Sequence, residues 1–140
     1  MSRTLSYAKI TDARAAISDI YDSVERNLVV DITREDDAPV AVIRKDSLIS
    51  LLEAKCNFEP KVHFSDIGYV SIWLEGLPIS AQADSLENAE FELIAALRDF
   101  SETWLEDLRE YPNHRGNWAL PTLVRLSSDE ELRKLVFGNE

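Results

Sequence analysis

The chain has 140 residues, 45% of them hydrophobic, and a formal net charge of −11. That apolar share is enough for a packed core and excludes wholesale disorder, and no apolar run approaches the ~20 residues of a membrane span. Cys56 is the lone cysteine and His63 and His114 are the only histidines, which excludes an internal disulfide and argues against a multi-cysteine or histidine-rich metal centre.

The segment Met1–Tyr7 lacks the apolar stretch of a signal peptide, so a cytoplasmic location is expected. Residues 1–55 carry a net −2 and residues 56–140 a net −9. A whole-chain nucleic-acid binder would be basic. The acidic second half suits a basic protein partner instead, through steering and complementarity.

Leu5, Tyr7 and Ile10 alternate with polar residues over 4–10 and predict a short strand. Thr11 stands at an N-cap position with Asp12 in the first turn, and Ala13, Ala16, Ile17, Ile20, Tyr21 and Val24 predict an amphipathic helix over 12–26. Val29–Arg34 is a β-branched strand, Glu35–Ala38 a turn, and Pro39–Ile43 the returning strand. Asp46 can cap a helix carrying Leu48, Ile49, Leu51 and Leu52. The first unit, residues 1–57, therefore reads β-α-β-β-α.

After a connector at 56–60 the pattern restarts. Val62–Phe64, Tyr69–Trp73 and Leu77–Ala81 predict three strands, and Ser85 caps a long helix over 86–110 with the stripe Leu86, Ala89, Leu93, Ala96, Leu97, Phe100, Trp104 and Leu108. Residues 113–118 read as a polar loop and Leu120–Leu126 as a last strand. Ser128 with Glu131 forms a capping box for a final helix, closed by Gly138. The fold class is α+β, and residues 58–140 form the second unit.

The ordered series Ser6–Ile17, Val29–Arg34, Pro39–Ile43 and the Leu48–Leu52 helix resembles the Phd/YefM family of bacterial antitoxins over about residues 3–55. The second half is similar to the HicB type of antitoxin domain, in Gly68–Trp73, Gly76–Pro78 and Ala81–Ala89 with the long helix that follows. HicB's "Pro-x-Leu-Pro-Gly-Cys" segment stands here as Leu74–Pro78.

The Phd/YefM resemblance implies a homodimer that binds operator DNA through its first strand and helix, placing Arg3, Lys9, Thr11 and Arg14 at the DNA. Asp12, Asp19, Asp22 and Glu25 lie close by and weaken that basic patch. Ile17, Ile20, Val30, Ile32, Val40 and Val42 are the candidates for the dimer interface, although the same residues serve equally as plain core. The resemblance also implies a cognate toxin, frequently an RNase of the RelE type. Trp73 and the acidic helix residues Glu92, Asp99, Glu102 and Glu106 are the candidate toxin contacts, set against the commoner meaning of a charge run as a solvated face.

An enzymatic reading is weaker. An RNase H-type nuclease needs carboxylates converging on divalent ions. Asp66, Glu75 and Asp84 each have a turn or cap explanation instead. No triad order is present, and Cys56 has only Lys55 beside it to lower its pKa. No catalytic residue, cofactor, metal or membrane contact is expected. The function implied is an antitoxin acting by occlusion and repressing its own operon as a dimer. The alternative is an orphan transcriptional regulator with no toxin partner.

Overall fold

The computed structural model describes residues 4–138. In chain order the elements are β1 (Ser6–Tyr7), α1 (Ile10–Ala15), α2 (Ile17–Glu25), β2 (Val30–Ile32), β3 (Val40–Val42), α3 (Lys45–Lys55), β4 (Pro60–Phe64), β5 (Val70–Leu74), β6 (Ser80–Ala83), α4 (Leu86–Glu106), a 3-10 turn (Leu108–Glu110), α5 (Pro112–Arg115), α6 (Ala119–Leu126) and α7 (Asp129–Phe137). The described residues thus form a mixed α and β structure with two three-stranded sheets and seven α-helices. The chain divides within α3 into two units, one ending at Ser50 and the next starting at Leu51. None of the described helices is long and apolar enough to cross a membrane.

In the first unit β2 is the central strand. It pairs in parallel with β1, Tyr7 beside Ile32, and antiparallel with β3, Val30 beside Val42 and Ile32 beside Val40. Paired residues of a pleated sheet share a face, so Val30, Ile32, Val40 and Val42 lie together. Ala13 of α1 and Ile20 and Val24 of α2 bury Val30 from that side, with Leu5, Tyr7, Ile32 and Val42 at the margin. The opposite face is polar, and there the Ser6 hydroxyl donates to Asp31 Oδ1 at 2.6 Å. Asn27 turns the chain after α2 at a positive φ of 71°, a conformation asparagine tolerates well, and its Oδ1 accepts from the Ser47 hydroxyl at 2.7 Å.

Four local expectations are corrected in this unit. The helix read over 12–26 is two helices, broken at Ala16 (φ −110°, ψ 22°). There the Ala16 N–H is shared between the carbonyls of Asp12 and Ala13, a tightened last turn that the apolar spacing does not register. Helix α1 starts earlier than read, so Lys9 occupies the cap position without a side-chain bond and Thr11 lies inside the helix. Asp46 likewise sits in the first turn of α3, after Lys45, and Arg44 Nε bonds its Oδ1 at 2.8 Å. Strand β1 is also shorter than the alternation suggests, because β2 pairs with it only at Asp31 and Ile32.

In the second unit β5 lies between β4 and β6, and both pairings are antiparallel. Its alternate residues Val70, Ile72 and Leu74 are buried beneath Ala89, Leu93, Ile94 and Leu97 of α4, and Val124, Leu132 and Val136 of α6 and α7 complete the core. Ser85 caps α4, its Oγ accepting from Asn88 N–H at 3.1 Å. The Ser128–Glu131 capping box opens α7 and Gly138 closes it at φ 79°, as the spacing predicts.

Here the structure overturns three further readings. Residues 120–126, expected as a strand, lie in α6. The short apolar run is as compatible with a strand as with a buried helix, and the buried set Ala119, Leu123 and Val124 has helical spacing. Pro121 falls in the first helical turn, where its missing N–H has no helical acceptor to lose. Helix α4 ends at Glu106 rather than 110, where Asp107 leaves helical geometry. Part of the expected loop at 113–118 is the short helix α5, pinned by the buried Trp104, whose Nε1–H donates to the His114 carbonyl at 2.9 Å.

Candidate functional site

The parallel pairing of β1 with β2 decides what meets at one end of the first sheet. Tyr7 lies beside Ile32, and the Thr33 N–H donates to the Tyr7 carbonyl at 2.8 Å. The two chains therefore leave the sheet side by side. Residues 8–11 and 34–35 line a shallow depression of about 410 Å³ formed by Ala8, Lys9, Ile10, Thr11, Arg34 and Glu35. Lys9 and Thr11 are thus brought together, with Arg14 one helical turn further along α1 and exposed. Arg34 joins them although it was not singled out in the sequence; only the parallel register reveals it. Its Nε bonds Asp37 Oδ2 at 2.7 Å in a solvent-exposed pair, a contact of small energetic weight that leaves the guanidinium able to turn outward. Arg3 lies outside the described residues.

The six apolar residues considered for self-association separate clearly. Ile20 and Val30 are 2% and 0% exposed and belong to the core of their own unit. Ile32 and Val42 are half-buried at its margin. Ile17 and Val40 are 61% and 58% exposed. Tyr21, one turn after Ile17, is also exposed and lines a second depression with Val24, Val42 and Ile43. The i, i+4 spacing that makes Tyr21 a neighbour of Ile17 was visible in the sequence. Which of the two helix faces would be covered was not.

In the second unit, Glu92, Asp99, Glu102 and Glu106 are all exposed on α4. Their steps of seven, three and four residues keep them on one stripe, opposite the buried Leu93, Leu97 and Trp104. None of the four takes part in a salt bridge among the described residues. The acidic residue Glu90, by contrast, is buried and bonded to Arg133 at 3.3 Å, and the Arg133 guanidinium lies 4.7 Å from the centre of the Phe91 ring. Trp73 projects from the face of the sheet away from α4 and its Nε1–H donates to Glu75 Oε2 at 3.3 Å.

The residues weighed for other chemistry have local roles. Asp84 accepts from Asn88 Nδ2 at 2.8 Å beside the Ser85 cap, and Asp66 lies in the β4–β5 turn. Burial pushes the Cys56 thiol up from its ordinary pKa, and the Lys55 ammonium opposes this only in part. No group of three or more His, Cys, Asp or Glu side chains converges as a metal site among the described residues.

A family model described as "Antitoxin of toxin-antitoxin, RelE / RelB, TA system" matches residues 1–137. The chain belongs to this antitoxin family. The antitoxin also shares its fold with a crystal structure, at 1.80 Å, described as the antitoxin part of a proposed toxin/antitoxin system from Syntrophomonas wolfei subsp. wolfei. The TM-score is 0.76 at 17% identity, covering 91% of this chain and 93% of that one. No curated protein matches the sequence.

Proposed function

We propose that this antitoxin silences a cognate toxin by direct binding, with the acidic second unit covering the toxin's cationic, RNA-binding surface. The observation that carries this reading is the stripe Glu92, Asp99, Glu102 and Glu106, exposed and without salt bridges among the described residues, on a helix whose opposite face buries Leu93, Leu97 and Trp104. Unpaired carboxylates on a rigid 21-residue helix present a fixed field to a basic partner, which raises the encounter rate and disfavours acidic competitors. The family description names RelE / RelB, which supports a RelE-type RNase as the target. The mechanism is occlusion and needs no bond chemistry from this chain.

The finer reading is a Phd/YefM-like first unit that forms a homodimer and a HicB-like second unit. The exposed Ile17 and Val40, with Ile32 and Val42 at the margin, support the homodimer, because a unit of about fifty residues gains core by pairing. Ile20 and Val30 support it only from within, as the core that holds this face in place. Lys9, Thr11, Arg14 and Arg34 support operator binding and autorepression, since a dimer presents the set twice.

Co-expression tests the central reading. The small basic protein encoded beside this chain is expected to arrest growth alone and to be silenced when this chain is present. Continued arrest overturns the antitoxin reading for that pair. Operator binding by this chain without any neighbouring toxin would favour the orphan regulator instead. For DNA, Arg14→Ala and Arg34→Ala are expected to weaken a gel shift of the operator, and unchanged binding removes these residues from the interface.

A further inference from the structure

The second sheet ends on a strand whose outer edge is unpaired among the described residues. The register sets Pro60 beside Leu74, Val62 beside Ile72 and Phe64 beside Val70. Val62 and Phe64 therefore lie on the same face as the buried core residues of β5. Helix α4 packs over β5 and β6, and leaves Val62 43% and Phe64 64% exposed.

The backbone is equally open. Ser65 N–H donates to the Tyr69 carbonyl at 2.8 Å, and Glu75 N–H to the Glu59 carbonyl at 3.0 Å. In an antiparallel ladder hydrogen-bonded and non-bonded pairs alternate. These two bonds therefore place Lys61–Trp73 and His63–Ser71 in the bonded pairs of β4 and β5. The N–H and C=O groups of Val62 and Phe64 point the other way, out of the sheet. Pro60 has no N–H and ends the row of donors. An edge with free main-chain groups on alternate residues, and apolar side chains on those same residues, is a template for an added strand.

We infer that this edge receives an extended segment of the basic toxin as a fourth strand, an inference that rests on the toxin-binding reading above. Charge selects the occupant. Residues 56–140 carry a net −9, so a second copy would bring like charge against like, whereas a cationic partner is drawn in. The segment alternates with period two. Its apolar side chains lie over Val62 and Phe64, and its neutral or acidic ones face Lys61 and His63. The bonds to Val62 and Phe64 supply the affinity, and the α4 carboxylates the approach.

The test uses the full chain and the purified, catalytically silenced toxin encoded beside it. Val62→Pro removes one outward N–H and leaves the β4–β5 bonds of Lys61 and His63 in place; Phe64→Lys removes the apolar contact. Each is expected to weaken binding at least tenfold, and amide exchange at Val62 and Phe64 of the unaltered chain is expected to slow in the complex. If either variant misfolds, the exchange measurement decides. Tight binding by both variants, or amides that exchange as fast as in the free chain, overturns the added strand while toxin binding stands. Failure of the unaltered chain to bind overturns both readings. Protection of the same amides by self-association without toxin makes the occupant a second copy and overturns the proposal.

Discussion

Arg98 of α4 and Asp129 of α7 meet with Nε and Nη2 at 2.9 and 2.7 Å from the same carboxylate oxygen. The same guanidinium donates to the carbonyls of Val124 and Ser127 at the end of α6. One side chain thus supplies donors to the orphan carbonyls of one helix and a countercharge to the first turn of the next. Arg98→Ala is expected to lower stability by about 2–3 kcal/mol, because the α6 carbonyls lose their partner. Asp129→Asn should cost about 0.5 kcal/mol, its contribution to the helix terminus being partly screened. Denaturant unfolding of both variants measures the difference, and equal losses would contradict this division of roles.

The contrast within the first unit makes a second prediction. Ile20→Ala should destabilise by about 3 kcal/mol, because it opens a cavity against Val30. Ile17→Asp with Val40→Asp should leave the unit's own core intact, shift the chain toward monomer in sedimentation equilibrium and make the unfolding midpoint independent of protein concentration. Thermal melts at two protein concentrations separate the two effects.

Charge reversal on α4 addresses the acidic stripe. Replacing Glu92, Asp99, Glu102 and Glu106 together by Lys should slow toxin association about tenfold or more at low salt. The gap should narrow as ionic strength rises, since exposed charges are screened over about 8–10 Å. Stopped-flow association rates at several salt concentrations read this directly. A gap that is independent of salt would mean the stripe does not face the toxin.

Cys56 offers a pH prediction. Its folded-state pKa is raised, so the folded chain holds the neutral thiol at pH values where the unfolded chain begins to ionise. The stabilisation linked to this group is complete below the ordinary thiol pKa and is lost as pH rises through the higher folded value. Iodoacetamide should alkylate Cys56 more slowly in the native chain than in urea at pH 8, because the thiolate is the nucleophile. Equal rates would contradict the burial effect.

Much of the architecture was legible because it is written in local chemistry. Ser85 and the Ser128–Glu131 box mark helix starts wherever they fall in the fold, and the β-branched runs around Val30 and Ile72 read as strands without knowledge of their partners. The acidic stripe of α4 was likewise visible, since 3.6-residue periodicity alone puts Glu92, Asp99, Glu102 and Glu106 on one side. Segment 120–126 reads as a strand or a helix because a short apolar run has no decisive period, and only the burial of Val124 in the second core, with Leu123 buried beside it, selects the helix.

The tertiary structure decided what no local rule contains. Parallel pairing of β1 with β2 brought Arg34 to Lys9, and Ala16 broke a continuous apolar stripe into two helices. The position of α4 over β5 and β6 buried Ile72 and left Val62, its partner on the same face, in solvent. Sequence periodicity reports which residues can be buried. Which of them are buried depends on how far the covering element reaches, and that is a property of the assembled fold.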